Sequence, residues 1–448
     1  MKILPTARFY WVLMGIGAIA ATLTTALPQA LGPSLALQVL LALDGALVAV
    51  TILDGILARR QRVLVERDHL SRLSIGRDNI VTLTVTPQTT SSGKRTQTVH
   101  IYDAHPGDMT VTDTAMPLRL ALSGREPHTL SYHIKPNKRR EVEWGDVHVR
   151  QQGPLTLAWH RWTVPHTQTV AVYPDLLGLR SLSVRLALQA SGSMRQQQRL
   201  NTGTEFAELR DYTKGDDPRL IDWKATARRG QPLVRVLEPE REQTLIVLLD
   251  RGRLMTAQVE GLNRFDWGLN AALSLGLAGI NRGDRVGIGV FDSKVHTWLP
   301  PNRGQHHLST MIERLTPIQP VLLESDYLNA VSMLVTQQHR RALVVLITDI
   351  VDATASMELL SALARLRPRY LPLCVTLRDP YIQEQADASS ATVDDAYSRA
   401  VALDLLDQRQ VAFAKLRQKG VMVLDAPVNQ MSEELVDQYL RIKAKNQL

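Results

Sequence analysis

Two acidic residues sit where a bound group could be met. Asp250 closes the apolar run Leu245-Ile246-Val247-Leu248-Leu249, and Asp349 closes the run Ala342–Thr348. Each run reads as a buried strand, and in open α/β sheets ligands bind at the carboxyl ends of the strands. Carboxylates in that position can serve a divalent cation as hard oxygen ligands. Without a cation they repel each other unless one takes a proton or an arginine neutralises them. The stretch Asp250-Arg251-Gly252-Arg253-Leu254 supplies two such arginines and no hydroxyl.

Reaction chemistry finds little support. Gly93-Lys94 lacks the upstream glycine and the following Ser or Thr of a phosphate-binding loop, so the strand ending at Asp250 is not the second motif of an ATPase. No Gly-x-Ser-x-Gly nucleophile turn is present. There is no His-Glu-x-x-His, and His306-His307 are merely adjacent. Gly287-Ile288-Gly289 lies inside a strand pattern and lacks the rest of a dinucleotide fingerprint. The single cysteine, Cys374, lies in the apolar run Leu371–Val375 and reads as a buried structural thiol. The sequence therefore points away from an enzyme.

The elements that must hold these acids follow from periodicity. After Thr244 strands and helices alternate, which predicts a doubly wound, mostly parallel α/β sheet over 244–448. A short strand near Val295–Leu299 pairs as a hairpin with Val286–Phe291. Ahead of it, 61–180 alternates with period two in Ile80–Val85, Thr98–Tyr102, Thr129–Ile134 and Val147–Val149, as an all-β, sandwich-like domain does. A length of 448 residues accommodates this multidomain layout.

Residues 1–60 read as a transmembrane helical hairpin. Phe9 to Leu43 carries no charge, and Gly45 to Leu53 continues uncharged. Spans at 9–27 and 35–57 are expected, with Pro28, Gly32 and Pro33 at the turn. Lys2 and Arg8 precede the first span and Arg59, Arg60, Arg62 and Arg67 follow the second, which puts the N-terminus and the soluble domains in the cytoplasm. Asp44 lies within the second span. It reads as an interhelical hydrogen-bonding group toward Thr22, Thr24 or Thr25, or as a contact with another membrane helix. The net charge of +8 and pI near 9.6 ask for an anionic neighbour. Phospholipid fits the arginines flanking the spans, and no nucleic-acid motif is present.

Between the β domain and the α/β domain, 181–243 contains the densest mixture of acid, base and aromatic groups in the chain. It includes Gly203-Thr204-Glu205-Phe206, Leu209-Arg210-Asp211-Tyr212, Gly215-Asp216, Arg219, Ile221-Asp222-Trp223 and Ala227-Arg228. These residues, and the order of domains around them, resemble the bacterial domain of unknown function 58 family. That resemblance implies a membrane-anchored protein of the bacterial inner membrane with a von Willebrand factor A-like domain. It also implies a partner, a MoxR-type AAA+ ATPase, and no established reaction.

The resemblance further implies a degenerate cation site. An A-like domain supplies Asp-x-Ser-x-Ser, a later Thr and a final Asp to Mg²⁺. Here Asp250 and Asp349 match the acids and Ser325 takes the Thr place, while Gly252 and Leu254 replace the serines. Two readings stay open: Mg²⁺ held by Asp250, Ser325 and Asp349 with waters filling the lost places, or Arg253 neutralising the site in place of the metal. Glu205, Phe206, Arg210, Tyr212, Asp216, Arg219, Asp222, Trp223 and Arg228 are expected to clamp the segment onto the A-like domain or to form a partner surface. The expected function is a membrane adaptor or scaffold for ATP-driven remodelling. The alternatives are a membrane-associated hydrolase acting on envelope components and an envelope scaffold, contacting other envelope proteins, that works without an ATPase.

Overall fold

The computed structural model describes residues 2–26, 33–60, 62–70, 72–88, 97–122, 124, 126–197, 205–238, 243–350, 357–389 and 392–445. The chain divides into two compact units, Met1–Tyr173 and Pro174–Leu448.

In the first unit the helices Ala7–Ala26 and Pro33–Arg60 lie against each other. Among the described residues one helix, Leu37–Arg60, is long and apolar enough to cross a membrane, where the sequence suggests two; Ala7–Thr22 is a shorter apolar helix. The expected turn at Pro28 and Gly32 falls outside the described residues. Thr22 donates to the Ile19 carbonyl one turn back, and among the described residues Asp44 Oδ1 has no hydrogen-bond partner, while the side chains of Thr24 and Thr25 lie outside the described ones.

One loop of the β domain holds both helices by hydrogen bonds. Asp54, fully buried, accepts from the backbone N–H groups of Leu155 (2.7 Å), Leu157 (2.9 Å) and Ala158 (2.9 Å). Three donors offset the cost of burying a carboxylate. Gly153 makes room for it, since a Cβ there would come within 2.4 Å of the Asp54 carboxylate. Thr6 Oγ1 donates to the Thr156 carbonyl (2.7 Å), and Arg8 donates to Thr156 Oγ1 (2.8 Å).

The β domain has a five-stranded antiparallel sheet with neighbours in the order Lys2–Pro5, Ala158–Val164, Val147–Gln152, Gln97–Asp103, Leu118–Leu122. A four-stranded sheet runs Val63–Arg67, Asn79–Pro87, His128–Pro136, Met109–Val111. The two meet through a buried polar knot. Asp103 of the first sheet accepts from Arg67 (2.6 Å) and Tyr132 (2.7 Å) of the second.

In the second unit a six-stranded sheet has the neighbour order Val295–Asn302, Arg285–Phe291, Thr244–Asp250, Leu343–Thr348, Leu371–Arg378, Met422–Pro427. All pairs are parallel except the edge hairpin. Alternate residues of the central strand enter different cores. Leu245, Val247 and Leu249 pack with Phe265, Leu269 and Leu435, whereas Ile246 and Leu248 pack with Ala330, Leu359 and Phe413. Helices therefore cover both faces, as the alternation predicts. Cys374 is fully buried and its thiol pKa is pushed up to about 12 by that burial, which leaves it unreactive.

Candidate functional site

The order of the strands reverses between Thr244–Asp250 and Leu343–Thr348, and both acids stand at this switch point. The register places Leu249 opposite Ile347, so Thr348 is level with Asp250. Asp250 is 1% exposed. Its Oδ1 accepts from the Gly252 N–H (2.7 Å) and Ser325 Oγ (2.5 Å), and its Oδ2 accepts from Thr348 Oγ1 (2.7 Å) and Tyr327 OH (3.1 Å). Burial pushes the carboxyl pKa up, and the donors, Ser325 first, pull it back.

Gly252 is what allows this closure. A Cβ there would lie 2.0 Å from Ser325 Oγ and 2.8 Å from the Leu323 carbonyl. A side chain at 252 and the Ser325–Asp250 bond exclude each other in this geometry. The substitution Gly252→Ser, which restores a hydroxyl to that place, is therefore expected to lower stability by about 1–3 kcal/mol, the usual range for overpacking. It is expected to confer no Mg²⁺ binding; a thermal melt with calorimetric titration reads both.

Asp349 does not join Asp250. The next residue along the strand turns its side chain elsewhere, and its two oxygens are held by Arg264 (2.5 Å) and Arg409 (3.0 Å). Arg409 also bonds Asp425 (2.8 Å) and the Leu377 carbonyl (3.1 Å). Asp349, Arg264 and Arg409 line a cleft of about 130 Å³ with Ile350, Arg378, Asp379 and Ile382. The expectation that Arg253 neutralises the acids is corrected here. Arg253 pairs with Glu324 (2.6 Å) at the surface, and Arg251 pairs with Asp292 (2.9 Å). Arginine does neutralise an acid at the strand ends, but the residues are Arg264 and Arg409. Leu254 is half-buried and offers no oxygen.

The donor set does not fit a divalent cation. Both oxygens of Asp250 face protein donors, and Asp349 faces two guanidinium groups, whose charge opposes a metal. Among the described residues no cluster of three His, Cys, Asp or Glu side chains could hold a metal.

Sequence reasoning missed Tyr327, Thr348, Arg264 and Arg409. Arg409 had a signal. It shares a helical stripe with Ala402, Phe413 and Leu416, all buried, and a charged residue on an apolar stripe implies a buried partner.

The dense charged segment forms a hairpin. Glu205–Asp211 pairs antiparallel with Leu233–Glu238, and the excursion between them holds a short 3₁₀ turn and the helix Trp223–Arg229. Two ion pairs, Arg210–Asp216 and Arg235–Asp222, tie it together. Arg210 grips Asp216 with two bonds (2.5 and 2.8 Å), and Asp216 also accepts from the Thr213 N–H and hydroxyl. Asp222 caps the helix through the N–H groups of Lys224 and Ala225 and meets Arg235 at 3.0 Å. Gly230, at φ 71°, ends the helix in the left-handed conformation that glycine adopts without strain. Arg210 holds the Asp216 carboxyl well below the usual carboxylate range. The contribution of this pair is thus present at neutral pH and is lost only as pH falls through that depressed value.

Of the charged residues expected to clamp the segment onto the α/β domain, Arg210, Asp216 and Asp222 find their partners inside the hairpin itself. Trp223 is 69% exposed and Tyr212 36%. Arg219, Lys224, Arg228 and Arg229 are exposed beside them. Of Glu205 and Phe206 only the backbone is described, in the first strand of the hairpin; Gly203 and Thr204 lie outside the described residues.

Residues 208–419, from within the first hairpin strand to just before the last strand of the parallel sheet, match the family model for "Protein of unknown function DUF58". This segment is a DUF58 segment. The chain is 28% identical over 201 residues to the uncharacterized protein Rv1480 of Mycobacterium tuberculosis, an alignment covering 44% of this chain and 62% of the relative. It is 32% identical over 126 residues to the uncharacterized protein YeaD of Bacillus subtilis, covering 28% and 31%. The match therefore spans less than two thirds of the length of these curated relatives. Among solved structures, the conserved hypothetical protein BatB from Bacteroides thetaiotaomicron aligns with 45% of this chain and 99% of its own, at 14% identity and a TM-score of 0.30. The DUF58 segment thus comprises the charged hairpin, the closed Asp250 cluster and the arginine-bridged Asp349 cluster.

Proposed function

We propose that this chain is a membrane-anchored binding protein whose DUF58 segment recognises a protein partner rather than running a reaction. The observation that carries the reading is the hairpin 205–238. Asp216, Asp217 and Asp222 are engaged within it, while an exposed tryptophan, a tyrosine and four basic side chains remain outward. Aromatic and arginine side chains dominate the energetics of protein interfaces. The partner implied by the family resemblance is a MoxR-type AAA+ ATPase, and the setting is the bacterial inner membrane with the soluble units on the cytoplasmic side.

The closed Asp250 cluster supports a metal-independent contact. In a cation-dependent site the partner's carboxylate completes the metal shell, whereas here Ser325, Thr348, Tyr327 and Gly252 have taken the oxygens. The full chain and the ATPase are expected to copurify in detergent with nucleotide present, and EDTA is expected to leave the yield unchanged. Loss of the ATPase on chelation would overturn the metal-independent reading.

The hydrolase alternative needs a nucleophile bonded to a base. The Ser293, His296 and Asp292 group has the wrong connectivity for this, since Ser293 and His296 both bond Asp292.

A further inference from the structure

The outward face of the five-stranded sheet carries a row of basic residues that no carboxylate pairs with among the described residues of the β domain. The register puts Arg161 opposite Arg150, Arg150 opposite His100, and His100 opposite Arg119, and it places Lys2 opposite Arg161 at the edge. Among the described side chains the row thus crosses four strands. The outward positions described for the sheet (4, 98, 100, 102, 119, 121, 148, 150, 152, 159, 161, 163) include no Asp or Glu. Arg119 and Arg150 are exposed and Arg161 is half-buried, and none of the three pairs with a carboxylate among the described residues. Like charges placed directly opposite across strands destabilise a sheet. A face built this way is stabilised by an anion brought to it.

The position of the row says which anion. The loop Gly153–Ala158 holds both helix ends, through Thr6 and Arg8 on one side and Asp54 on the other. The strand leaving that loop presents Trp159 outward, opposite Leu4 and beside His100, with ring centroids 4.7 Å apart and the rings tilted by 43°. Arg161 follows two residues later, which is about 7 Å along a strand. An aromatic next to the helix end and a basic row one step beyond match the order of groups at a bilayer surface. Tryptophan prefers the interface, and arginines attract anionic headgroups within a Debye length.

We propose that this face lies on the membrane and binds the phosphate headgroups of anionic phospholipid through Arg119, Arg150 and Arg161, an assignment that rests on the membrane-anchored reading above. The row orients the β domain against the bilayer and makes its docking sensitive to lipid charge. His100 adds no fixed charge at neutral pH, since burial, then Arg119 and Arg150, hold its pKa below the ordinary value.

The test uses the full chain purified in mixed micelles holding equal phosphatidylglycerol and phosphatidylcholine, with retained lipids counted by native mass spectrometry. The wild type is expected to enrich phosphatidylglycerol, and the triple variant Arg119→Gln, Arg150→Gln, Arg161→Gln to lose that enrichment by about tenfold or more. Its melting temperature is expected to match or exceed that of the wild type, because the like-charge row is gone. Should the triple variant misfold, Arg150→Gln alone, at an exposed outward position, gives the same direction at smaller size. Unchanged enrichment in the variant overturns the proposal, as does its complete loss in the control Arg59→Gln, Arg60→Gln. A labelled oligonucleotide that binds the arginines while phosphatidylglycerol does not would overturn it in favour of nucleic acid. Carbonate extraction of membranes tests anchoring separately. A chain that resists extraction but shows no lipid preference refutes the face alone, and a chain that is extracted refutes the anchor.

Discussion

Arg409→Ala is expected to destabilise the α/β unit by about 3–5 kcal/mol, the cost of leaving a buried charge without its partner. Arg409 is 8% exposed and bridges Asp349, itself 3% exposed, to Asp425. Removing the guanidinium leaves the Asp349 carboxylate to Arg264 alone and frees the Leu377 carbonyl. It also removes the cation lying 5.5 Å from the centre of the Phe413 ring, so packing is lost with the charge. Denaturant unfolding of the wild type and variant in the same detergent measures the difference. A change below about 1 kcal/mol would mean that water or a second arginine fully replaces it. The charge-neutral double variant Arg409→Met with Asp349→Asn is expected to recover much of the loss, because the penalty comes from the unpaired partner more than from the missing pair.

Trp223→Ala is expected to act in the opposite way, leaving stability within about 0.5 kcal/mol and weakening partner capture by about 2 kcal/mol or more, some thirtyfold in affinity. The separation follows from exposure. A tryptophan 69% open to solvent makes few contacts that folding depends on. The neighbouring Arg228→Ala is expected to weaken capture less and to flatten its salt dependence, as an outlying charge does. Binding of the purified ATPase to detergent-solubilised wild type and variants, read at two ionic strengths beside a melting curve, measures these effects. If Trp223→Ala lowers stability and leaves binding intact, the hairpin is a structural element and the partner surface lies elsewhere.

The parts of the fold legible in the sequence are those that short-range periodicity encodes. The strand of the α/β unit ending at Asp250 shows as a continuous apolar run because helices cover it on both sides, and Ile80–Val85 shows as alternation because one side of its sheet faces water. The pairing of Asp250 with Ser325 was also within reach, since both belong to positions that a cation-binding sheet would use. The partners of Asp349 were not. Arg264 and Arg409 lie 85 and 60 residues away in sequence, and local pattern does not say which of many arginines arrives there. Arg253 was the nearer choice in sequence, but its backbone turns outward into the 3₁₀ turn Arg253–Thr256 and its side chain meets Glu324. The same limit hid the anchoring of Asp54, whose donors lie more than a hundred residues downstream. The basic row of the β domain illustrates the converse. Its members look scattered in sequence and become one feature only once the register is known.

The central claim is that the hairpin, and not the closed acid cluster at the sheet end, is the surface a partner meets. Site-specific photo-crosslinking in native membranes tests it most directly. A benzoylphenylalanine replacing Trp223 is compared with one replacing Leu322, which is 77% exposed and adjoins Leu323, whose carbonyl accepts from the Arg253 N–H beside the Asp250 cluster. The account predicts that position 223 crosslinks to an AAA+ ATPase, with EDTA present or absent, and that position 322 does not. Crosslinking from 322 alone, abolished by EDTA, would contradict it.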